Sequence, residues 1–189
     1  MPAPRRVDGE TLRLPDGRTV VLRHPEPDDA PAVLAYLRLA GGESPYLTFG
    51  SEGPGLSEAE EREFLARVAA TDNTFALAAL DGDRVVGLVT FEGGRRPRTR
   101  HTGELGISVA REYHGQGVGR ALLERLIGWA QASGVVRKLD LRVRVDNAAA
   151  IRLYERLGFV VEGRIRRDLL IDGAFHDAFL MGRPIDPSR

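Results

Sequence analysis

The stretch that decides the fold class is His114-Gly115-Gln116-Gly117-Val118-Gly119, followed at residues 120–133 by RALLERLIGWAQAS. Val118, Leu122, Leu126 and the Trp129/Ala130 pair recur on one face of a 3.6-residue period, and Gly134 marks the end of that helix. Glu104 to Val109 precedes the run as a strand candidate, so the order is strand, Gly-rich turn, amphipathic helix. Glycines without Cβ atoms let the backbone turn tightly and bring several N–H groups toward one point. The helix start adds unpaired N–H groups and partial positive charge. Such a turn is a phosphate or pyrophosphate cradle, or a Gly-rich turn that does no more than begin a helix.

The spacing excludes the two commonest phosphate motifs. A P-loop needs Lys and then Ser or Thr after its last Gly, and neither follows here. A dinucleotide fingerprint needs Gly at the sixth position, where Arg120 stands counting from Gly115 and Leu122 counting from Gly117. Asp140 lies about twenty residues on, yet in the middle of an alternating strand.

Downstream, Leu139, Leu141, Val143 and Val145 alternate with Asp140, Arg142 and Arg144, a half-exposed strand. A helix is predicted from about Asn147 to Leu157, ending at Gly158. Phe159-Val160-Val161 opens another strand, and Asp172-Gly173 turns it back through Phe175 to Met181. Upstream, Asp81-Gly82-Asp83 joins the strands Phe75 to Leu80 and Arg84 to Phe91. Ser57 and Glu60 form a capping box before a helix carrying Phe64, Leu65 and Val68. An earlier helix begins near Asp28 as its cap, with Ala30, Val33, Leu34 and Leu37 inward. Thr19 to Leu22 is a strand after the Asp16-Gly17 turn. Residues 41–56 form a Gly/Pro-rich loop holding Tyr46 and Phe49, either binding residues or packing anchors. Residues 93–101, GGRRPRTRH, form a basic loop.

Composition narrows the class. The 189 residues suit one domain, with frayed tails expected at 1–10 and 184–189. A hydrophobic content of 42% supports a sizeable core, and no apolar run approaches membrane-spanning length. The opening residues lack an apolar signal core, which gives an expectation of a cytoplasmic protein. Without cysteine there is no thiol nucleophile and no Cys-based metal site. His24, His101, His114 and His176 show no ligand spacing, so no metal is expected. The 27 basic residues balance 27 acidic ones, and Lys138 is the only lysine. A chain-wide drive toward nucleic acid or membrane is therefore absent. Arg95, Arg96, Arg98 and Arg100 belong to a solvated loop or lend charge to bound phosphates.

The remaining candidates are Asn147 with Tyr154, and Glu104. Asn147 and Tyr154 stand seven residues apart and so share a helix face, as joint ligand contacts or as a cap and a core residue. Glu104 opens its strand beside Leu105, either a tuned base or a solvated strand residue.

These features in this order resemble the GNAT superfamily of acetyl-CoA-dependent N-acetyltransferases. The resemblance covers most of the chain and is strongest from Glu104 to Gly163. The family's acetyl-CoA motif is Gln or Arg, then x-x-G-x, then Gly or Ala. Gly117 and Gly119 match it, while His114 departs at the first position. A second motif, N-x-x-A-x-x-x-Y-x-x-x-G-F, is met by Asn147, Ala150, Tyr154, Gly158 and Phe159. The resemblance implies an α/β fold with a mixed, mostly antiparallel sheet of about seven strands and helices on both faces. It implies direct acetyl transfer in a ternary complex to a primary amine of a small molecule such as an amino acid. The chain also looks like the ribosomal-protein N-terminal acetylating branch, which is the alternative, and a non-catalytic CoA-binding sensor is the rival from another class. Glu104 is the candidate base, directly or through water, and Tyr154, carried over from the matching family position, is the acid that protonates the leaving thiolate. Acetyl-CoA is expected on Ile107, Ser108, Val109, His114, Gly115, Gln116, Gly117, Val118, Gly119, Arg120, Asn147 and Tyr154. An acceptor pocket is expected at Tyr46 and Phe49, and a homodimer is compatible with the resemblance.

Overall fold

The computed structural model describes residues 9–186. One sheet of eight strands forms its frame, in the spatial order β1-β2-β3-β4-β5-β6-β8-β7. The strands are β1 (Glu10–Arg13), β2 (Thr19–Arg23), β3 (Thr74–Asp81), β4 (Arg84–Gly93), β5 (Thr102–Val109), β6 (Lys138–Arg144), β7 (Val160–Ile171) and β8 (Ala174–Pro184). The helices are α1 (Ala30–Glu43), α2 (Glu58–Ala70), α3 (Val118–Ala132) and α4 (Ala148–Arg156). Every adjacent pair is antiparallel except β5 with β6. That parallel pair needs a crossover, and the Gly-run with α3 supplies it.

The sheet has one strand more than the seven the sequence suggests. The extra strand is β1, whose first residue, Glu10, falls in the expected tail and whose other three the sequence reading assigns to no element. Glu10 pairs with Leu22 of β2, and its carboxylate accepts hydrogen bonds from Arg125 of α3. At the other end, Pro184 pairs with Lys138. The expected tails therefore shrink: Glu10 and residues 184–186 are structured, while 1–8 and 187–189 lie outside the described residues.

Helix α1 also differs at both ends. It follows a short 3-10 turn over Pro27–Asp29, in which Asp29 and Glu26 cap each other, and Asp28 instead pairs with Arg62. It runs on through Gly41 and Gly42, which the sequence suggests are loop. A Cβ on Gly41 would stand 2.0 Å from the Gly50 carbonyl oxygen, so glycine lets the loop return across the helix end. Pro45 then ends the helix, since the residue before proline disfavours the α region.

The core lies between the sheet and its helices. Phe75, Leu77, Val89, Phe91, Leu105, Leu139 and Leu141 are fully or nearly fully buried beneath Leu122, Leu123, Leu126 and Trp129 of α3. Trp129 packs against Phe75 and Phe91, with ring centroids 5.0 and 6.0 Å away. Burying a large apolar side chain stabilises by about 1.5–3 kcal/mol, so α3 is fastened mainly by this face. Glu61 of α2 departs from the pattern. It shares the inward face with Leu65 and Val68, is 3% exposed, and has no side-chain partner among the described residues.

Burial pushes the Glu61 carboxyl above its ordinary value. Its stabilising, protonated state is full below the ordinary carboxylate range and is lost as pH rises through the raised folded value. Glu61→Gln is therefore expected to raise Tm at pH 7 and to match the unsubstituted protein near pH 4. Thermal melts at the two pH values check this, and an equal gap at both would contradict it.

Candidate functional site

The site is built where the sheet divides. β5 and β6 are paired only at Thr102 with Lys138, Gly103 with Leu139 and Glu104 with Asp140. Beyond that rung each strand keeps its outer neighbour: β5 stays on β4 through Val109, and β6 stays on β8 through Arg144. From Leu105 to Val109 the inner edge of β5 has no strand partner, and its backbone groups face the cleft between the two halves. Such an edge accepts an extended ligand as an added strand.

The cleft leads toward the Gly-run. Gly115 and Gly117 have φ of +73° and +87°, a left-handed backbone that glycine alone adopts freely. A Cβ at either would meet nothing within 4 Å, so open space lies over the turn. The first bond of α3 runs from Ala121 N to the Gly117 carbonyl. The amides of Val118, Gly119 and Arg120 thus have no carbonyl partner within the helix and lie beside the glycine turn as a candidate anion cradle, whereas the Gln116 amide donates to the Tyr113 carbonyl at 3.4 Å. The buried Oε1 of Gln116 has no donor among the described residues. The Arg120 side chain is turned away to Glu124 at 2.8 Å, so its contribution is its amide.

Flanking contacts hold the cradle in place. Tyr113 is buried, and its hydroxyl donates to Asp81 while accepting from Arg84 at 3.3 Å. The Arg18 guanidinium lies 4.1 Å over the Tyr113 ring. Glu43, at the end of α1, accepts the Arg111 amide at 2.8 Å. Burial, then the bond to Asp81, pushes the Tyr113 hydroxyl up. His114 Nε2 donates to the Val109 carbonyl at 2.9 Å, which assigns the proton to that nitrogen. That carbonyl is therefore already taken, and His114 ties the cradle to the tip of β5.

The other expected residues separate by face. Val109 lies toward α3, its Cγ2 3.6 Å from where a Gly119 Cβ would sit. Ser108 points the opposite way, and its Oγ accepts from the Tyr36 hydroxyl of α1 at 2.9 Å. Burial is the main cause pushing the Tyr36 hydroxyl up. Asn147 caps α4, its Oδ1 accepting from the Ala150 amide at 3.2 Å, which leaves its NH₂ free to donate. Tyr154 is 8% exposed, packs on Phe159, and makes no hydrogen bond among the described residues. Burial pushes its hydroxyl up to about 12.

Glu104 sits on the last paired rung, its side chain 52% exposed. Arg142 Nε donates to its Oε1 at 2.9 Å. Sequence spacing gave no sign of this partner, 38 residues away. Arg144 is a second residue the sequence reading missed. It is 7% exposed, grips Asp146 with two nitrogens and donates Nη1 to the Pro45 carbonyl at 2.7 Å. Its guanidinium lies 5.0 Å over Tyr46. Phe49 packs back on Gly41 of α1. Both loop aromatics thus make packing contacts, and Tyr46 remains 39% exposed. The basic loop at 93–101 enters β5 at Thr102, the opposite end of that strand from the Val109 tip that His114 ties to the cradle.

The forked sheet and the glycine-started helix beside it define a mixed α/β class of fold, and the comparisons name the family within it. Residues 44–159 match the acetyltransferase (GNAT) family model, and the chain belongs to that family. It is 37% identical over 107 residues to the L-amino acid N-acetyltransferase AaaT of Escherichia coli K12, covering 57% of this chain and 65% of that protein. It is 51% identical over 81 residues to the ribosomal protein bS18-alanine N-acetyltransferase of the same strain, covering 42% and 53%. The chain thus matches less than two thirds of either relative's length. Among solved structures, a GNAT-family acetyltransferase from Streptococcus pneumoniae superposes with a TM-score of 0.84 at 37% identity, over 88% of this chain and 99% of that one. A phosphinothricin acetyltransferase from Sinorhizobium meliloti, solved in complex with acetyl-CoA, gives a TM-score of 0.76 at 25% identity over 88% and 89%. Among the described residues, no helix is long and apolar enough to cross a membrane. Nor does any group of three or more His, Cys, Asp and Glu stand ready for a metal ion.

Arg144 is the strut of the 41–56 loop. Arg144→Ala is expected to destabilise the protein by about 1–3 kcal/mol through lost charge-assisted hydrogen bonds. It should also speed amide exchange at residues 46–50 while leaving β6 protected, as exchange measured by mass spectrometry would report.

Proposed function

We propose that this protein is an N-acetyltransferase, residues 1–189 forming one domain that moves acetyl from acetyl-CoA to a primary amine of a small molecule such as an amino acid. The observation that carries the reading is the β5–β6 fork, which ends on a cradle of left-handed glycines and free helix amides. It fits a long ligand with a peptide-like arm and an anionic head. The amides of residues 115–120 would hold the pyrophosphate. The arm would lie along Ile107, Ser108 and Val109 and take the free Asn147 NH₂, with His114 fixing the tip of the edge. The acetyl-CoA complex of the Sinorhizobium relative supports the same donor.

The acceptor must be neutral to attack, although an alkyl amine is mostly protonated at neutral pH. Glu104, on the rung where the strands part, would take that proton, directly or through water. A backbone N–H near the end of β5 would hold the developing oxyanion. As nitrogen bonds to the acetyl carbon and the C–S bond breaks, Tyr154 would give its proton to the thiolate. With its hydroxyl pushed up to about 12, Tyr154 keeps that proton throughout the neutral range.

The name of the AaaT relative supports a free amino acid as acceptor. The 51% identity to the bS18-alanine enzyme favours a second reading, an N-terminal alanine of a ribosomal protein. The presence of both Glu104 and Tyr154 weighs against a non-catalytic sensor. The exposed Val160, Val161, Leu170 and Phe175 of the β7–β8 hairpin are where a homodimer would form. A cytoplasmic site of action accords with the donor. An acetyl-CoA turnover screen against amino acids, polyamines, aminoglycosides and N-terminal peptides tests the reading, and no acceptor in any class would defeat it.

Acetyl-CoA is expected to raise Tm, since a ligand of the native state stabilises by RT ln(1 + [L]/Kd). Gly117→Glu should abolish that rise. Its side chain would be strained at φ +87° and would set a carboxylate in the cradle. Unchanged affinity in a folded variant would refute the phosphate site.

Tyr154→Phe keeps the ring packing and deletes the hydroxyl. It should lower kcat by about 10²-fold or more with little change in the KM for acetyl-CoA, because the lost bond belongs to the transition state. Steady-state kinetics measure both, and a normal kcat would remove Tyr154 from the reaction.

A further inference from the structure

Two arginines follow one another on the same face of β6, and they are in different states. Arg144 has spent its guanidinium on Asp146 and the Pro45 carbonyl and is 7% exposed. Arg142 stands two residues beyond the last β5–β6 rung, with its side chain 42% exposed. Its Nε is bonded to Glu104, and its Nη1 leans on Asp168 at 3.3 Å. Its Nη2 has no partner among the described residues. A guanidinium has five N–H donors in a fixed fork, so the cleft side of Arg142 still offers most of them. Asp168, only 11% exposed, keeps the fork from swinging away.

Resting on the acetyltransferase reading, we infer that the Glu104–Arg142 pair recognises the two charged groups of a free α-amino acid, Arg142 taking the carboxylate and Glu104 the ammonium. The exchange is matched in charge. A carboxylate and a guanidinium that face each other in the free protein each receive the opposite group of one zwitterion. An ion pair this exposed is weakly held, so a ligand displaces it readily. A carboxylate meets the guanidinium by paired, charge-assisted N–H bonds. Glu104 and Asp168 are the acidic groups bonded to Arg142. Only Glu104 is the one the acceptor replaces.

The exchange also sets specificity at the chemical step. In the free protein Glu104 Oε1 is engaged by Arg142. An acceptor that brings its own carboxylate takes the Nε and Nη2 side of the guanidinium in place of Glu104, while Asp168 holds the fork, and Glu104 is left to the amine. An amide, a polyamine or a peptide N-terminus has no carboxylate at that distance and leaves the base engaged. Arg142 is thus a specificity-determining residue and, through Glu104, a positioning one.

The test is a comparison of kcat/KM for L-leucine, L-tyrosine, L-serine and L-lysine with that for the carboxamide of each, in the unsubstituted protein, Arg142→Gln and Arg142→Lys. The amine of an amide is less basic, so the acid-to-amide ratio is compared between proteins rather than read alone. Effects on Glu104 common to both substrates cancel in that ratio. Arg142→Gln is expected to lower it by about 10–100-fold, the usual size of a hydrogen-bonded charge contact. Arg142→Lys, with charge but no fork, should fall between. Acetyl-CoA-induced shifts in Tm establish that each variant is folded and binds the donor. A ratio that does not move between the proteins overturns the inference while leaving the acetyltransferase reading intact. Donor binding without transfer to any acid or amide overturns both.

Discussion

The short parallel pairing of β5 with β6 is the constraint on which the rest of the molecule depends. Three rungs hold the strands together, and beyond Glu104 each is claimed by its outer neighbour. A sheet normally satisfies its backbone groups strand by strand, and an interior edge left unpaired is a standing demand for a partner. The crossover needed to join two parallel strands is α3, and its start falls at the open end of the same cleft. One topological fact therefore supplies the slot and the anion cradle at its mouth. The buried Trp129, Phe75 and Phe91 cluster holds α3 to β3 and β4, so the cradle is referred to the first half of the sheet.

Polar contacts then fix what the core leaves loose. The segment before the glycines is tied to β3 and β4 through Tyr113, to α1 through Glu43 and to β5 through His114. On the other side of the fork, Arg144 draws the 41–56 loop onto β6. Pro45 follows α1, which is bonded to β5 through Tyr36 and Ser108, so Arg144 links the two halves through that helix, while Glu104–Arg142 crosses between them directly, just past the last rung. A group that bridges two halves at a weak point is well placed to respond to what enters there.

Much of this was legible in the sequence, and the reasons for the remainder are local. Helix α4 declared itself through Asn147, its cap, and Gly158, its stop, and both functions are seen. Helix α3 was legible through a strong apolar face. β1 was not, because Glu10–Arg13 is a four-residue strand whose pairing and ion pair with Arg125 are tertiary. The end of α1 was hidden because Gly41 and Gly42 read as breakers, whereas Gly41 is there for the close approach of Gly50. Glu61 occupies an inward helical position that a polarity pattern assigns to solvent. Arg142 and Arg144 look alike as outward residues of an alternating strand. Only the register of β5 and the return of the loop distinguish the part-exposed guanidinium on Glu104 from the buried one on Pro45.

Under the acetyl-transfer reading proposed above, the near absence of lysine has a consequence. A thioester reacts with exposed amines, and a protein that concentrates one places its own surface at risk. Here the basic surface is carried by guanidinium groups, which stay protonated and do not acylate under such conditions. Lys138, the single side-chain amine, is pinned between Asp140 and Glu162 at 2.7 Å each. Those carboxylates, Asp140 first, raise its value further and keep its lone pair occupied by a proton. Under that reading, the one lysine side chain is held out of reach of the electrophile by its own ion pairs.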